Sequence, residues 1–282
     1  MMIHRIAGLL LLLASAVASA GPLGPDGTPG TSLPGKFTWF DLATENVAAA
    51  RVFYGAVFDW KYEEVPGGPA EYTIIRNSQG KVGGMFRKQR PRDARAGAHW
   101  LSLISVRDAE QAARMVRERG GSVILPPTQV LGRGTHAVFR DPQGAIFGVL
   151  AAAGGDPADD PVVDGDVFWL DLFTPDAPKA AAFYSDLAGY EAAEGPTRAG
   201  PKRWYLVTGG AIARAGIIPQ QSAGLAPAWL PYFLVDNVPA TIEKAKKAGG
   251  KVLVAPRFEY LNGKVAVLAD PNGGVFGIVD WP

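Results

Sequence analysis

The sequence of 282 residues contains no cysteine. This excludes disulfide bonds, thiolate metal ligands and a cysteine nucleophile. The chain also lacks an apolar run long enough to cross a bilayer. Its longest such run, residues 6–17, is about a dozen residues, whereas a membrane-spanning helix needs roughly 20.

An excess of either charge is also absent. Lys plus Arg number 28 and Asp plus Glu number 27, and the two totals become equal if a leader containing Arg5 is removed. A balanced chain has no electrostatic footprint for nucleic acid, so we expect no nucleic-acid partner. The one local basic run, residues 87–95, contains Pro91 and no aromatic residue, and we interpret it as a solvated loop.

Residues 1–20 are typical of a secretory signal peptide. A short positive start containing His4 and Arg5 precedes the apolar run, and Ala18-Ser19-Ala20 forms a small-residue cleavage pattern. We therefore expect export to the periplasm or beyond the cell, with no stable membrane insertion after cleavage. An uncleaved interfacial anchor is the alternative.

A long internal repeat organises the rest of the chain. The stretch Phe37–Trp60 returns as Val167–Tyr190 at a constant offset of 130 residues, which aligns Trp39 with Trp169 and Asp41 with Asp171. The repeat predicts two domains of ordinary size. We place a signal peptide at 1–20, a Gly/Pro-rich tether at 21–35, the first domain at 36–152, a linker at 153–164 and the second domain at 165–282.

Each domain contains a smaller repeat of its own. An alternating strand is followed by a helix whose predicted N-cap is Asn46 in the first unit and Asp108 in the second. Short strands bounded by turn residues follow each helix. The pattern predicts an α+β protein of four βαβββ units, two in each tandem domain.

These units resemble the vicinal-oxygen-chelate superfamily, which includes glyoxalase I, extradiol dioxygenases and bleomycin-resistance proteins. The resemblance rests on the early Phe53-Tyr54 and Phe183-Tyr184 pairs and on the late turns Asp141-Pro142-Gln143-Gly144 and Asp270-Pro271-Asn272-Gly273. It implies that two units wrap their sheets into a cup with the site inside. The turns themselves suit type I geometry, and we assign them no chemistry.

The resemblance also implies a divalent metal held by His, Glu or Gln on the first and last strands of each unit. Here the corresponding positions carry tryptophan, leucine or glycine, which do not coordinate metals. They are Trp39, Trp169, Leu101 (or Trp100), Leu230 (or Trp229), Gly148 and Gly277. We therefore expect no metal and no other cofactor in either cup, and we assign no catalytic residue.

Two groups of residues are candidates for ligand binding. Trp39, Trp100, Trp169 and Trp229 would line the cups and stack on a flat ligand, with ordinary core packing as the alternative. Asp41 and Asp171 share a strand face with Trp39 and Trp169 and would bind a ligand or act as bases. A buried pairing of each carboxylate with an arginine or a backbone donor is the alternative that we favour.

Three functions are compatible with the sequence. The first is metal-free binding of a small apolar or aromatic molecule, with the two domains paired within one chain. The second is an enzyme, a lyase, isomerase or dioxygenase, with an atypical metal site in the first domain; His99, His136 and Asp41 would then be the residues to test. The third is a protein-interaction module.

Overall fold

The computed structural model describes residues 31–65, 72–88, 97–130, 133–195, 203–220, 225–259 and 261–281. The predicted signal peptide and most of the tether lie outside these residues, as does most of the basic run. No helix in the described ranges is long and apolar enough to cross a membrane.

The element order is four successive βαβββ units, which confirms the predicted α+β fold of two tandem domains. In the first domain the elements are β1 (Phe37–Thr44), α1 (Val47–Phe58), β2 (Lys61–Glu64), β3 (Thr73–Arg76), β4 (Lys81–Arg87), β5 (His99–Ser105), α2 (Ala109–Glu118), β6 (Ser122–Val130), β7 (Gly134–Arg140) and β8 (Ile146–Ala152). In the second they are β9 (Val167–Thr174), α3 (Ala177–Ala188), β10 (Glu191–Gly195), β11 (Arg203–Thr208), β12 (Ile212–Pro219), β13 (Ala228–Leu234), α4 (Val238–Lys247), β14 (Lys251–Val254), β15 (Val265–Ala269) and β16 (Val275–Val279).

Two strands, β2 and β10, have no clear signal in the sequence. Both are short edge strands, and most of their side chains are exposed. An edge strand that buries neither face carries no alternation of apolar and polar residues, so period alone does not reveal it.

Each domain forms one eight-stranded sheet. The strand order is β2-β3-β4-β1-β5-β8-β7-β6 in the first and β10-β11-β12-β9-β13-β16-β15-β14 in the second. The two units of each domain meet at the centre, where β1 pairs antiparallel with β5 and β9 pairs antiparallel with β13. The central strands therefore carry the residues that both units bring to one place.

The predicted helix starts are correct. The side chain of Asn46 accepts a hydrogen bond from the backbone N–H of Ala49, and Asp108 accepts from Glu110 and Gln111. These caps satisfy amide groups that have no partner within the helix. They fix the position at which each chain segment leaves its strand and crosses the sheet.

The helices cover one face of each sheet and lie between the two domains. α1 contacts α4, α2 contacts α3, and one large apolar cluster contains buried residues from both domains. The opposite, helix-free face of each sheet carries separate, smaller clusters. We call these two helix-free faces the first cup and the second cup.

Candidate functional site

Strand alternation decides which residues enter the first cup. Asp41 lies opposite Leu101 in the antiparallel pairing of β1 and β5, and Trp39 lies opposite Leu103. Directly opposed residues point to the same side of a sheet. Trp39, Asp41, Leu101 and Leu103 therefore share the helix-free face.

The first sheet is strongly curved. Arg133, which immediately precedes β7, donates a hydrogen bond to the hydroxyl of Tyr72, beside β3, over 3.3 Å. Five strand spacings of about 4.8 Å each would separate β3 from β7 in a flat sheet, a distance no arginine side chain bridges. The helix-free face is thus a closed concavity, as the family resemblance implies.

A buried polar cluster lies on the floor of the first cup. Trp39 Nε1 donates to Asp41 Oδ1 (2.8 Å), and the Tyr72 hydroxyl donates to the same oxygen (2.8 Å). Arg133 places its guanidinium 4.5 Å from the Trp39 ring centre and 3.6 Å from Asp41 Oδ2. Asp41 therefore has the buried arginine partner that we favoured from the sequence.

The chain's own side chains fill the first cup. Trp39 is 6% exposed, and it packs with Leu101, Leu103, Leu125 and other apolar residues. His136 also lies in this cup and is buried, and neither of its ring nitrogens has a hydrogen-bond partner among the described residues. Burial, followed by the nearby Arg133 charge, lowers the pKa of His136 to about 3.

The second cup repeats the tryptophan–aspartate pair with a different arginine. Trp169 Nε1 donates to Asp171 Oδ1 (2.9 Å), and Arg203 Nη2 donates to Asp171 Oδ2 (3.2 Å). Arg203 comes from β11, whereas Arg133 comes from the connection between β6 and β7. Burial raises the pKa of Asp171, and Arg203, Trp169 and Tyr232 oppose that rise.

The second cup is more open than the first. Leu125 is 1% exposed, whereas Val254, its counterpart at an offset of 129 residues, is 37% exposed. Trp169, Phe173 and Tyr205 are half-buried, as are Val265 and Val267 on β15. The second cup thus presents aromatic and aliphatic surface that is partly accessible to solvent.

One connection accounts for the difference between the cups. In the first domain β6 continues to Val130, which is buried, and the following turn brings Arg133 over Trp39. In the second domain β14 ends at Val254, and the chain turns through Leu261–Gly263, where Asn262 has a φ of 54°. Leu125 and Val254 before this segment, and Asp141 and Asp270 after it, keep the same offset of 129 residues. No insertion therefore distinguishes the two segments, and their different conformation leaves the second cup open.

The expected placement of two tryptophans was wrong. Trp100 lies opposite Leu42 and Trp229 opposite Leu172, so both point to the helix side and belong to the interdomain core. Each donates its Nε1–H to a tyrosine hydroxyl, Trp100 to Tyr54 (3.2 Å) and Trp229 to Tyr184 (3.0 Å). They do not line either cup, because a residue one position from a cup-facing leucine points to the other face.

The residues present do not fit a metal ion of the kind the family implies. A Cβ atom at Gly148 would lie 2.8 Å from Leu103 Cγ, and one at Gly277 would overlap the Tyr232 ring. These positions are filled by neighbouring side chains. Within the described ranges, no three His, Asp or Glu side chains come together to hold a metal, so His99, His136 and Asp41 do not form the alternative site.

A cleft of about 300 Å³ lies outside both cups, between the two domains. Phe58 and Val235 contribute apolar surface, but Asp59, Asp164 and Asp236 bring three carboxylates to its wall. Burial and the neighbouring Asp236 raise the pKa of Asp164. This charged lining, which also includes Lys244, does not suit an apolar ligand.

The late Asp-Pro-x-Gly turns have a role that sequence reasoning missed. Oδ1 of Asp141 accepts the backbone N–H groups of Gln143, Gly144 and Ala145, which is the expected turn. Its Oδ2 accepts from the hydroxyl of Tyr184 in the other domain (3.1 Å). In the sequence, the only indication of this contact was that the Phe-Tyr pair and the Asp-Pro-x-Gly turn occur in both domains at matching spacing.

The fold, two tandem eight-stranded sheets that each have a helix-free face, defines the class of protein to which this chain belongs. The model of the Glyoxalase/Bleomycin resistance protein/Dioxygenase superfamily matches residues 36–149 and 167–278. The chain belongs to this superfamily, and the resemblance seen in the sequence is confirmed.

The proteins that this chain resembles have names that describe different functions. The chain is 30% identical over 259 residues to the anthracycline biosynthesis protein DauV of Streptomyces sp. (strain C5), covering 88% of this chain and 94% of that protein. It is 30% identical over 249 residues to the putative glyoxylase CFP32 of Mycobacterium bovis, covering 87% and 94%. An Mn(II)-bound glyoxalase from Novosphingobium aromaticivorans has the same fold, with a TM-score of 0.58, 17% identity, and coverage of 88% and 83%.

Proposed function

We propose that this chain is a metal-free binding protein whose second cup holds a small, flat aromatic molecule. The observation that carries the proposal is the contrast between the cups. Trp169, Phe173 and Tyr205 are half-buried in the second cup, while the first cup is packed with its own side chains. Ligand sites are lined mostly by apolar and aromatic side chains with few polar groups, and the second cup has such a lining.

The names of similar proteins support the same ligand class. One is an anthracycline biosynthesis protein, and anthracyclines are fused-ring aromatic compounds. Half-exposed aromatic side chains stack on such rings with a favourable offset or edge geometry. A flat aromatic molecule is therefore the ligand class that both the cup and the similar proteins favour.

Binding of naphthalene-2-carboxylate and anthraquinone-2-carboxylate to the mature chain, measured by calorimetry, tests this proposal. We expect saturable binding with one site per chain. Trp169→Ala should weaken it at least tenfold. The control variant Trp39→Phe, at the equivalent position of the filled first cup, should change the affinity less than twofold. Absence of saturable binding, or equal effects of the two variants, would overturn the proposal.

We also propose that the protein is exported, on the basis of residues 1–20. Expression of the full chain in a bacterial host, followed by fractionation and intact mass measurement, tests this. The expected product is a periplasmic or extracellular chain beginning at Gly21. A cytoplasmic product that retains residues 1–20 would contradict export.

A further inference from the structure

The different arginines of the two cups bear on the polarity of the ligand. In the first cup, Arg133 itself covers the Trp39 ring and lies beside Asp41. A planar cation of the protein therefore occupies the indole face and balances the carboxylate. Among the described residues, Asp41 has no charged partner other than Arg133.

In the second cup, the carboxylate already has a charged partner. Arg203 binds Asp171 from β11, on the floor of the sheet, and the residue equivalent to Arg133 is Asn262, which is exposed. The carboxylate of Asp171 is buried, whereas the Arg203 side chain is partly exposed, so a ligand meets the guanidinium first. A cationic ligand would be repelled by the guanidinium, and the arrangement therefore disfavours amines.

Arg203 retains the capacity to bind a ligand. Its guanidinium has five N–H donors in a planar fork, and within the described part of the chain its hydrogen bond is the one to Asp171 Oδ2. The Arg203 side chain is 30% exposed, compared with 6% for that of Arg133. A partly exposed fork of this kind fits a carboxylate or another acceptor oxygen, with which hydrogen bonds are charge-assisted.

We propose that the ligand of the second cup is a planar aromatic acid, phenolate or quinone whose oxygen accepts hydrogen bonds from Arg203 while its ring lies against Trp169. This inference rests on the proposed binding function. It adds two properties of the ligand. The ligand carries an oxygen that accepts hydrogen bonds, and the edge of the ligand that bears this oxygen faces β11. The ligand class excludes aromatic amines of the same shape.

Three probes of equal ring size test this inference by calorimetry on the full mature chain. They are naphthalene-2-carboxylate, 2-methylnaphthalene and 2-naphthylmethylammonium. We expect the carboxylate to bind at least tenfold more tightly than the hydrocarbon, and the ammonium to bind most weakly. Equal affinities for all three probes, or tightest binding of the ammonium, would overturn the inference and leave the binding function in place.

Substitutions at Arg203 test whether this residue is the source of the preference for the carboxylate probe. Arg203→Met should remove the advantage of the carboxylate and change binding of 2-methylnaphthalene less than twofold. Arg203→Met leaves the Asp171 carboxylate without its countercharge. In the double variant Asp171→Asn/Arg203→Met neither charge is present, and this variant should lose the preference for the carboxylate to the same extent. Arg214→Met is the matched control, since Arg214 is held by Asp159, and it should retain the preference. Retained preference in both Arg203 variants would overturn the inference, whereas failure of all three probes to bind would overturn the binding function itself.

Discussion

Tyr54 on α1 donates a hydrogen bond to Oδ2 of Asp270 over 3.0 Å, across 216 residues of sequence. Tyr184 on α3 makes the equivalent bond to Asp141 in the first domain. Each domain therefore supplies the helix tyrosine for the other domain's final turn. This reciprocal exchange makes the helix layer a shared core rather than a contact between two finished domains.

Removal of the Tyr54 hydroxyl should destabilise both domains together. Tyr54→Phe leaves an oxygen of Asp270 and the Nε1–H of Trp100 without their partner. We expect a loss of about 1–3 kcal/mol in the free energy of unfolding. Urea unfolding followed by circular dichroism should still show one transition. Tyr62→Phe is the control, because the Tyr62 hydroxyl has no hydrogen-bond partner in the part of the chain that the structure describes. Two separate transitions in Tyr54→Phe would contradict a shared core.

The buried charge pairs of the two cups should differ in their contribution to stability. Asp41→Asn leaves the buried Arg133 without a countercharge, and we expect a loss of about 3–5 kcal/mol. Asp171→Asn leaves Arg203, which is partly exposed, and should cost about 1–2 kcal/mol. Urea titrations of both variants measure the difference. An equal cost would show that water reaches both cups alike.

His136 should make the protein less stable in mild acid. Its pKa in the folded chain is lowered from 6.5 to about 3, mainly by burial. Between these values the unfolded chain binds a proton that the folded chain does not, so stability falls as the pH drops from about 6.5 towards 3. Above pH 6.5 this contribution is fully present. The free energy of unfolding of His136→Gln should fall less than that of the wild type between pH 7 and pH 4.5; parallel curves would exclude His136 as the cause.

The last strand of the second cup should not accept a larger residue. A Cβ atom at Gly277 would overlap the ring of Tyr232, so Gly277→Ala should cost about 1–3 kcal/mol by overpacking. Gly209→Ala is a suitable control, since no atom of the described residues lies within 4 Å of the added Cβ. Thermal unfolding compares the two variants. A fully stable Gly277→Ala would mean that Tyr232 moves freely, and that a metal-binding side chain could be introduced here.

Several features of the site could be predicted from local pattern. The alternation of Trp39 and Asp41 placed both on one strand face, and Asn46 and Asp108 fixed the helix starts. The strand that carries Trp100 could not be assigned a face in the same way. Apolar and polar residues occur on both of its faces, so alternation did not distinguish a buried face, and the assignment of Trp100 or Leu101 to the cup was left open.

The sequence by itself determined the duplicated α+β fold, the tandem units and the lack of metal-binding side chains at the family's positions, because these depend on repeats, period and residue type. Only the tertiary structure decided that Arg133 closes the first cup while the equivalent segment of the second domain leaves Trp169 accessible. It also decided that Trp100 and Trp229 belong to the interdomain core. These outcomes depend on contacts between strands and helices far apart in the chain, such as Arg133 with Tyr72 and Tyr54 with Asp270, and local sequence pattern does not specify such contacts.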